Sequence, residues 1–292
     1  MTAENKGLWL GFIGVAIFAL TLPLTRLAVR EIDPSFLAIG RTVLAAAVAG
    51  PMLFFAKARR PQGREWGNLA FVVAGVIFGF PLLSAIAMKS APASHGGVVL
   101  GVLPLATAVM STIFAGERPS PAFWFWSIAG SLAVVIYALW DGGAELHDAD
   151  GLLFLSVIAA SMGYAAGGRL SQTLGGWQVI CWALVVALPL TLPLALWFGQ
   201  TLHAGISAGA WSCFLYVALM SQLGGFFFWN RGLSLGGIAR VGQVQLLQTF
   251  MTLAASALLV GEPLTLRACV FAVMVAACVW FARNAVVRQR VA

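Results

Sequence analysis

Charge is what this sequence lacks. Asp, Glu, Lys and Arg make up 9% of its 292 residues, against about 25% in an average soluble protein. A water-exposed surface carries roughly 25–35% charge, so a soluble globular body of this size is excluded. Hydrophobic residues at 61% and aromatics at 12% exclude a disordered chain in turn, because disordered segments are polar and poor in aromatics. Acids are the scarcest charged type: there are ten, all in loops or at the ends of apolar runs. An acid-based proton relay in the membrane therefore has no obvious seat, nor has a carboxylate site for lipophilic cations. The four cysteines, Cys181, Cys213, Cys269 and Cys278, lie inside apolar segments without a CxxC pair and read as small packing residues. Glycine-rich phosphate loops and HExxH-type spacings are missing too, which argues against ATP-driven pumping and metal hydrolysis by this chain. His147, His203 and the acids around 141–150 read as solvated loop. No cofactor and no metal are expected.

What is present is long apolar sequence. Ten segments can be drawn: 7–29, 34–56, 66–89, 93–115, 121–140, 151–171, 176–199, 207–231, 237–260 and 265–287. Each can cross a bilayer core as a helix, the one element besides a closed barrel that satisfies its own backbone in lipid. Short separators carry the breakers Asp33-Pro34, Arg60-Pro61, Gly116-Glu117-Arg118-Pro119 and Asp141-Gly142-Gly143. The first segment reads as a retained span: its apolar run is longer than a signal peptide's, and Arg26 and Arg30 stand where a cleavage site would be. With the N-terminus in the cytoplasm, twelve loop cations fall inside and four outside (Arg26, Arg30, Lys89 and Arg267), with Arg41 within a span. That bias places both termini inside. The acidic loop at 141–150, with no Lys or Arg, falls outside.

The halves match at an offset of 145. Gly116-Glu117 closes the fourth segment and Gly261-Glu262 the ninth, and Ala87–Val98 overlies Gly232–Gln243. The chain divides at 145/146 into two five-span halves, and an odd number of spans inverts the second half relative to the first. Inverted repeats are a signature of secondary transporters, which hold their substrate near the midplane between the repeats. Thr249 stands where the offset puts the partner of Pro104, so a helix break at that point is expected in one half only.

Two five-span halves, the Gly-Glu pairs, the Asp33-Pro34…Arg41 run and Pro92-Ala93…Leu103-Pro104 before Gly116-Glu117 resemble the drug/metabolite transporter superfamily. Its EamA-type ten-helix members are the nearest likeness. Length and aromatic richness look closest to the YddG-type exporters of aromatic and other amino acids. The resemblance spans essentially the whole chain. It implies an all-α integral membrane protein of ten transmembrane helices, with Arg41 in a structural role.

Several groups could carry the chemistry. Gln245, Thr249, Thr252 and Ser256 follow +4, +3, +4 spacing on one face of the ninth span, with Gln248 beside them. This stripe reads as a cavity wall for a polar solute, or as interhelical hydrogen bonding. Gly97, Pro104, Thr107 and Ser111 mirror it on the fourth span. Tyr164, Trp182, Phe227 and Trp229 lie deep or beside glycines, where they could stack on a flat side chain. Lys89 and His95 bracket the turn before the fourth span, placed to meet a carboxylate or to snorkel. Helix breaks near Pro81, Pro92 and Pro104 could offer helix-end dipoles. The GxxxG pairs at Gly75/Gly79, Gly97/Gly101, Gly163/Gly167 and Gly232/Gly236 read as packing seams.

The expectation is a bacterial inner-membrane exporter of neutral amino acids, aromatic ones included, and of related metabolites, working by alternating access. Its partners are a small solute and the bilayer, and nucleic acid is not one; the sequence leaves the oligomeric state open, with a monomer compatible with it. Efflux of drugs or other metabolites is the nearest alternative and a channel a further one. A membrane enzyme is disfavoured because no catalytic cluster is found.

Overall fold

The computed structural model describes residues 2–91, 96, 99–141, 148–202, 204–261 and 265–289. Its helices are α1 (Ala3–Ala28), α2 (Pro34–Phe55), α3 (Glu65–Ala87), α4 (Leu100–Phe114), α5 (Pro121–Asp141), α6 (Asp148–Leu174), α7 (Gly176–Thr201), α8 (Ala208–Gly236), α9 (Ile238–Val260) and α10 (Leu266–Asn284). Among the described residues, eight are long and apolar enough to cross a membrane, and α4 (Leu100–Phe114) and the part Pro121–Tyr137 of α5 are shorter apolar stretches. Local chemistry sets their ends. Asp33 caps α2, its Oδ1 accepting from Ser35 N at 2.8 Å and Phe36 N at 3.1 Å, with Pro34 in the first turn. Ser207 and Thr265 cap α8 and α10 the same way. Gly116 (φ +65°) follows α4 and Gly261 (φ +78°) ends α9, each in the left-handed region that glycine enters freely. A short ribbon joins β1 (Glu117–Pro119) antiparallel to β2 (Val287–Gln289).

The helices pack as two inverted sets of five. α1 lies along α8, and its counterpart α6 lies along α3, while α2 meets α7, α4 meets α9 and α5 meets α10. Small residues bring the first two pairs together. A Cβ on Gly232 would stand 2.7 Å from Gly11 N, and one on Gly7 2.5 Å from Gly236 N. Gly75 lies as tightly against the Ala159 carbonyl of α6. The seams read from Gly75/Gly79 and Gly232/Gly236 are thus close backbone approaches. Outward faces carry Phe54, Phe55, Leu258, Leu266 and Val273, all strongly exposed, as lipid contact requires.

The repeat reaches into helix distortions. α3 contains a π-helical stretch, Val73–Gly79, and α8 contains another, Tyr216–Gly224, ending 145 residues later. A 3₁₀ turn, Leu100–Val102, precedes Pro104, and a second, Gln243–Gln245, opens the corresponding region of α9. The expectation of a break in one half only is therefore corrected. Proline is one route to the tightened turn, and Gln243–Gln245 reaches it without proline at Thr249.

Candidate functional site

Two prolines begin the site by subtracting donors. Pro23 has no N–H for the Ala19 carbonyl, its partner four residues back, and α1 breaks at Leu20. Thr252 Oγ1 of α9 donates to that carbonyl at 3.0 Å. In the π register of α3, Phe80 N bonds to Gly75 O, so the next donor in line, toward Val76 O, would be residue 81. Pro81 has none to give, and Gln222 Nε2 of α8 donates to Val76 O at 3.2 Å instead. Thr21 Oγ1 and Ser221 Oγ share a hydrogen bond of 2.8 Å between α1 and α8. In each case a side chain of the second half completes a deficit or a pair in the first.

Around these contacts lies a small cavity lined by both halves. The first half lines it with Phe18, Thr21, Leu22, Arg41, Val76, Phe80, Leu100 and Leu103. The second half supplies Ala160, Tyr164, Ser221, Gln222, Phe226 and Gln248. Its volume is about 20 Å³, room for a single water. Aromatic rings wall one side: Phe18 lies parallel to Tyr164 at 6.4 Å and against Phe226 at 4.9 Å, and Tyr164 meets Trp229 edge-on at 5.3 Å.

Of the residues picked out in the sequence, Gln248 and Tyr164 line this cavity. Thr249, Thr252 and Ser256 are buried in helix packing, and Gln245 Oε1 accepts from Thr107 Oγ1 of α4 at 3.4 Å. The cavity face of α9 is thus the one beside the stripe. Trp229 is fully buried behind Phe18 and Tyr164. Trp182 donates its indole N–H to the Arg59 carbonyl at 3.0 Å, away from the centre. Phe227 lines a lateral groove with Trp177 and Arg231. Pro81 follows the π stretch and Pro104 the 3₁₀ turn, where Leu103 N takes the Leu100 carbonyl that Pro104 cannot reach. Pro92, His95 and Gly97 lie outside the described residues. Sequence reasoning passed over Thr21, Ser221 and Gln222. Their signal in the sequence is that of isolated polar residues inside long apolar runs. Arg41, read as structural, faces the cavity.

One end of the bundle is held by Glu117. It is buried, and its two oxygens accept from Ile238 N and Ala239 N, each at 2.7 Å, at the start of α9. A carboxylate on the first turn of a helix satisfies orphan donors and meets the positive end of the dipole. Nearby, Arg240 pairs with Glu4 at 2.6 Å.

Ten helices in two inverted fives, with a cavity lined by both, have the architecture of an inverted-repeat membrane transporter. A family model described as the EamA-like transporter family matches residues 5–139 and again 149–283. The chain belongs to that family, within the drug/metabolite transporter superfamily. It is 45% identical over 262 residues to an uncharacterized transporter of Bacillus subtilis, YdeK, covering 90% of this chain and 91% of the relative. A second transporter of that organism, YyaM, is 22% identical over 281 residues, covering 93% and 92%. A probable terminal-alkyne amino-acid exporter of Streptantibioticus cattleyicolor is 22% identical over 236 residues, covering 77% and 76%. One protein solved by crystallography shares the fold with a TM-score of 0.75 at 16% identity, covering 95% of this chain and 98% of that one.

Proposed function

We propose that this protein exports neutral amino acids, aromatic ones included, and related metabolites across a bacterial inner membrane. The observation that carries the reading is the central cavity, lined by both halves, polar through Gln222, Gln248 and Arg41 and aromatic through Phe18, Tyr164 and Phe226. A zwitterion with an apolar side chain needs both kinds of wall. The amino-acid exporter among its relatives supports the same choice. Alternating access is the movement we assign, the halves 1–145 and 146–292 rocking about the cavity. The two family-model matches bracket that boundary. We read the chain as a carrier rather than an enzyme, in keeping with the transporter names of its relatives.

Purified protein in liposomes preloaded with unlabelled phenylalanine should accumulate labelled phenylalanine transiently and saturably. Linear, unsaturable flux points to a channel, and counterflow with other metabolites alone points to efflux of a different specificity. Both termini belong in the cytoplasm on the cation bias. Reporter fusions after Ala292 should read inside and fusions within 142–150 outside. A periplasmic carboxyl terminus overturns the orientation.

A further inference from the structure

We propose that Arg41 is the carboxylate receptor of the central cavity, so that the transported solute must carry an anionic group. The proposal rests on the reading of that cavity as the solute site. Arg41 projects from α2, is 3% exposed, and lines the cavity. Its Nε has no hydrogen-bond partner, and among the described residues no carboxylate or carbonyl accepts from its guanidinium. The molecule itself shows what a structural arginine looks like. Arg26 donates to the carbonyls of Met88 at 2.6 Å and Lys89 at 3.0 Å, Arg169 to that of Phe114, and Arg240 to Glu4 and the Ala285 carbonyl. Each ties off a helix end. Among the described residues Arg41 ties off no helix end, although a buried guanidinium without a counter-charge is among the costliest groups a bundle can hold.

The sequence supplies no acid to pay that cost, since none of its ten lies mid-span. An external anion fits the deficit, and a guanidinium fork matches a carboxylate bidentately. The same cavity holds an unmet acceptor, Gln248 Oε1. Donors at Arg41 and an acceptor at Gln248 complement a solute with a carboxylate and an ammonium. Phe18, Phe80, Tyr164 and Phe226 offer the apolar remainder a surface. The cavity holds about one water in this form, so binding accompanies its opening.

Three labelled probes separate the parts: L-phenylalanine, phenylacetate (carboxylate only) and phenethylamine (ammonium only), bound to detergent-purified protein. Wild type should bind the first two, and phenethylamine at least about 30-fold more weakly than phenylalanine. Arg41→Gln should lose phenylalanine affinity by about 30-fold or more, bind phenethylamine no worse, and unfold at or above the wild-type temperature. Arg41→Lys should recover part of the affinity, keeping charge without the fork. The assignment is overturned if Arg41→Gln keeps phenylalanine affinity within about threefold, if it unfolds several degrees lower as loss of a structural arginine would, or if phenethylamine binds wild type as tightly as phenylalanine. Arg41-dependent binding of phenylacetate without phenylalanine sinks the amino-acid reading and leaves this one standing. Wild type that binds none of the probes sinks both.

Discussion

Pro23 and Pro81 cost the first half two backbone donors, and the residues that compensate, Thr252 and Gln222, have different duties from Gln248 close by. Thr252 serves the Ala19 carbonyl at the break in α1. Gln248 keeps an unpaired oxygen at the cavity. Thr252→Val should therefore lower thermal stability, by about 0.6 and at most about 1.7 kcal/mol, with substrate affinity unchanged. Gln248→Leu should do the reverse, weakening binding roughly five- to 150-fold with little change in melting temperature. Measuring both quantities on both purified variants checks the division. If the two variants move the same quantity, stripe and cavity face have the same role.

The α1–α8 seam has no room to spare. Ala at Gly232 sets a Cβ 2.7 Å from Gly11 N, and the obstacle is backbone. Gly232→Ala should cost about 1–3 kcal/mol in stability, read by thermal unfolding in detergent. Gly67→Ala, on α3 with nothing within 4 Å, should be neutral or gain up to about 1 kcal/mol of helix propensity. Seams of this kind were legible in the sequence, because small residues four apart on an apolar helix have few other uses. The ten spans were legible too, with ends within a few residues for most, because hydropathy alone decides which segments enter lipid. The π stretches at Val73–Gly79 and Tyr216–Gly224 were not. A π register survives where a partner such as Gln222 meets the displaced carbonyl, and that partner lies on another helix. The site was half legible for the same reason. Composition marked α9 as polar, but which of its faces meets α1, which meets α4 and which meets the cavity depends on neighbours a single helix does not reveal.

At the scale of the molecule, the halves are bound by polar as well as apolar contacts. Thr21 with Ser221, Thr252 with Ala19, Gln222 with Val76, Thr107 with Gln245, and Glu117 with Ile238 and Ala239 all cross between them. Purified protein carrying an inserted protease site at residue 145 should therefore stay a single particle after cutting. Both pieces should co-elute on gel filtration in mild detergent. Pieces that separate would mean the halves rely on the covalent link.

The same cross-bonds set a clock for synthesis. The Val76 carbonyl enters the bilayer early, and its donor, Gln222, is translated about 150 residues later. At about 5–20 residues per second, that wait is roughly 7–30 s. Until then α3 carries an unsatisfied carbonyl in hydrocarbon, and so does the break in α1 until Thr252 arrives. The newly made first half is thus an unfinished membrane protein that needs shelter at the insertion machinery, and the order of assembly follows from two prolines and the residues that answer them.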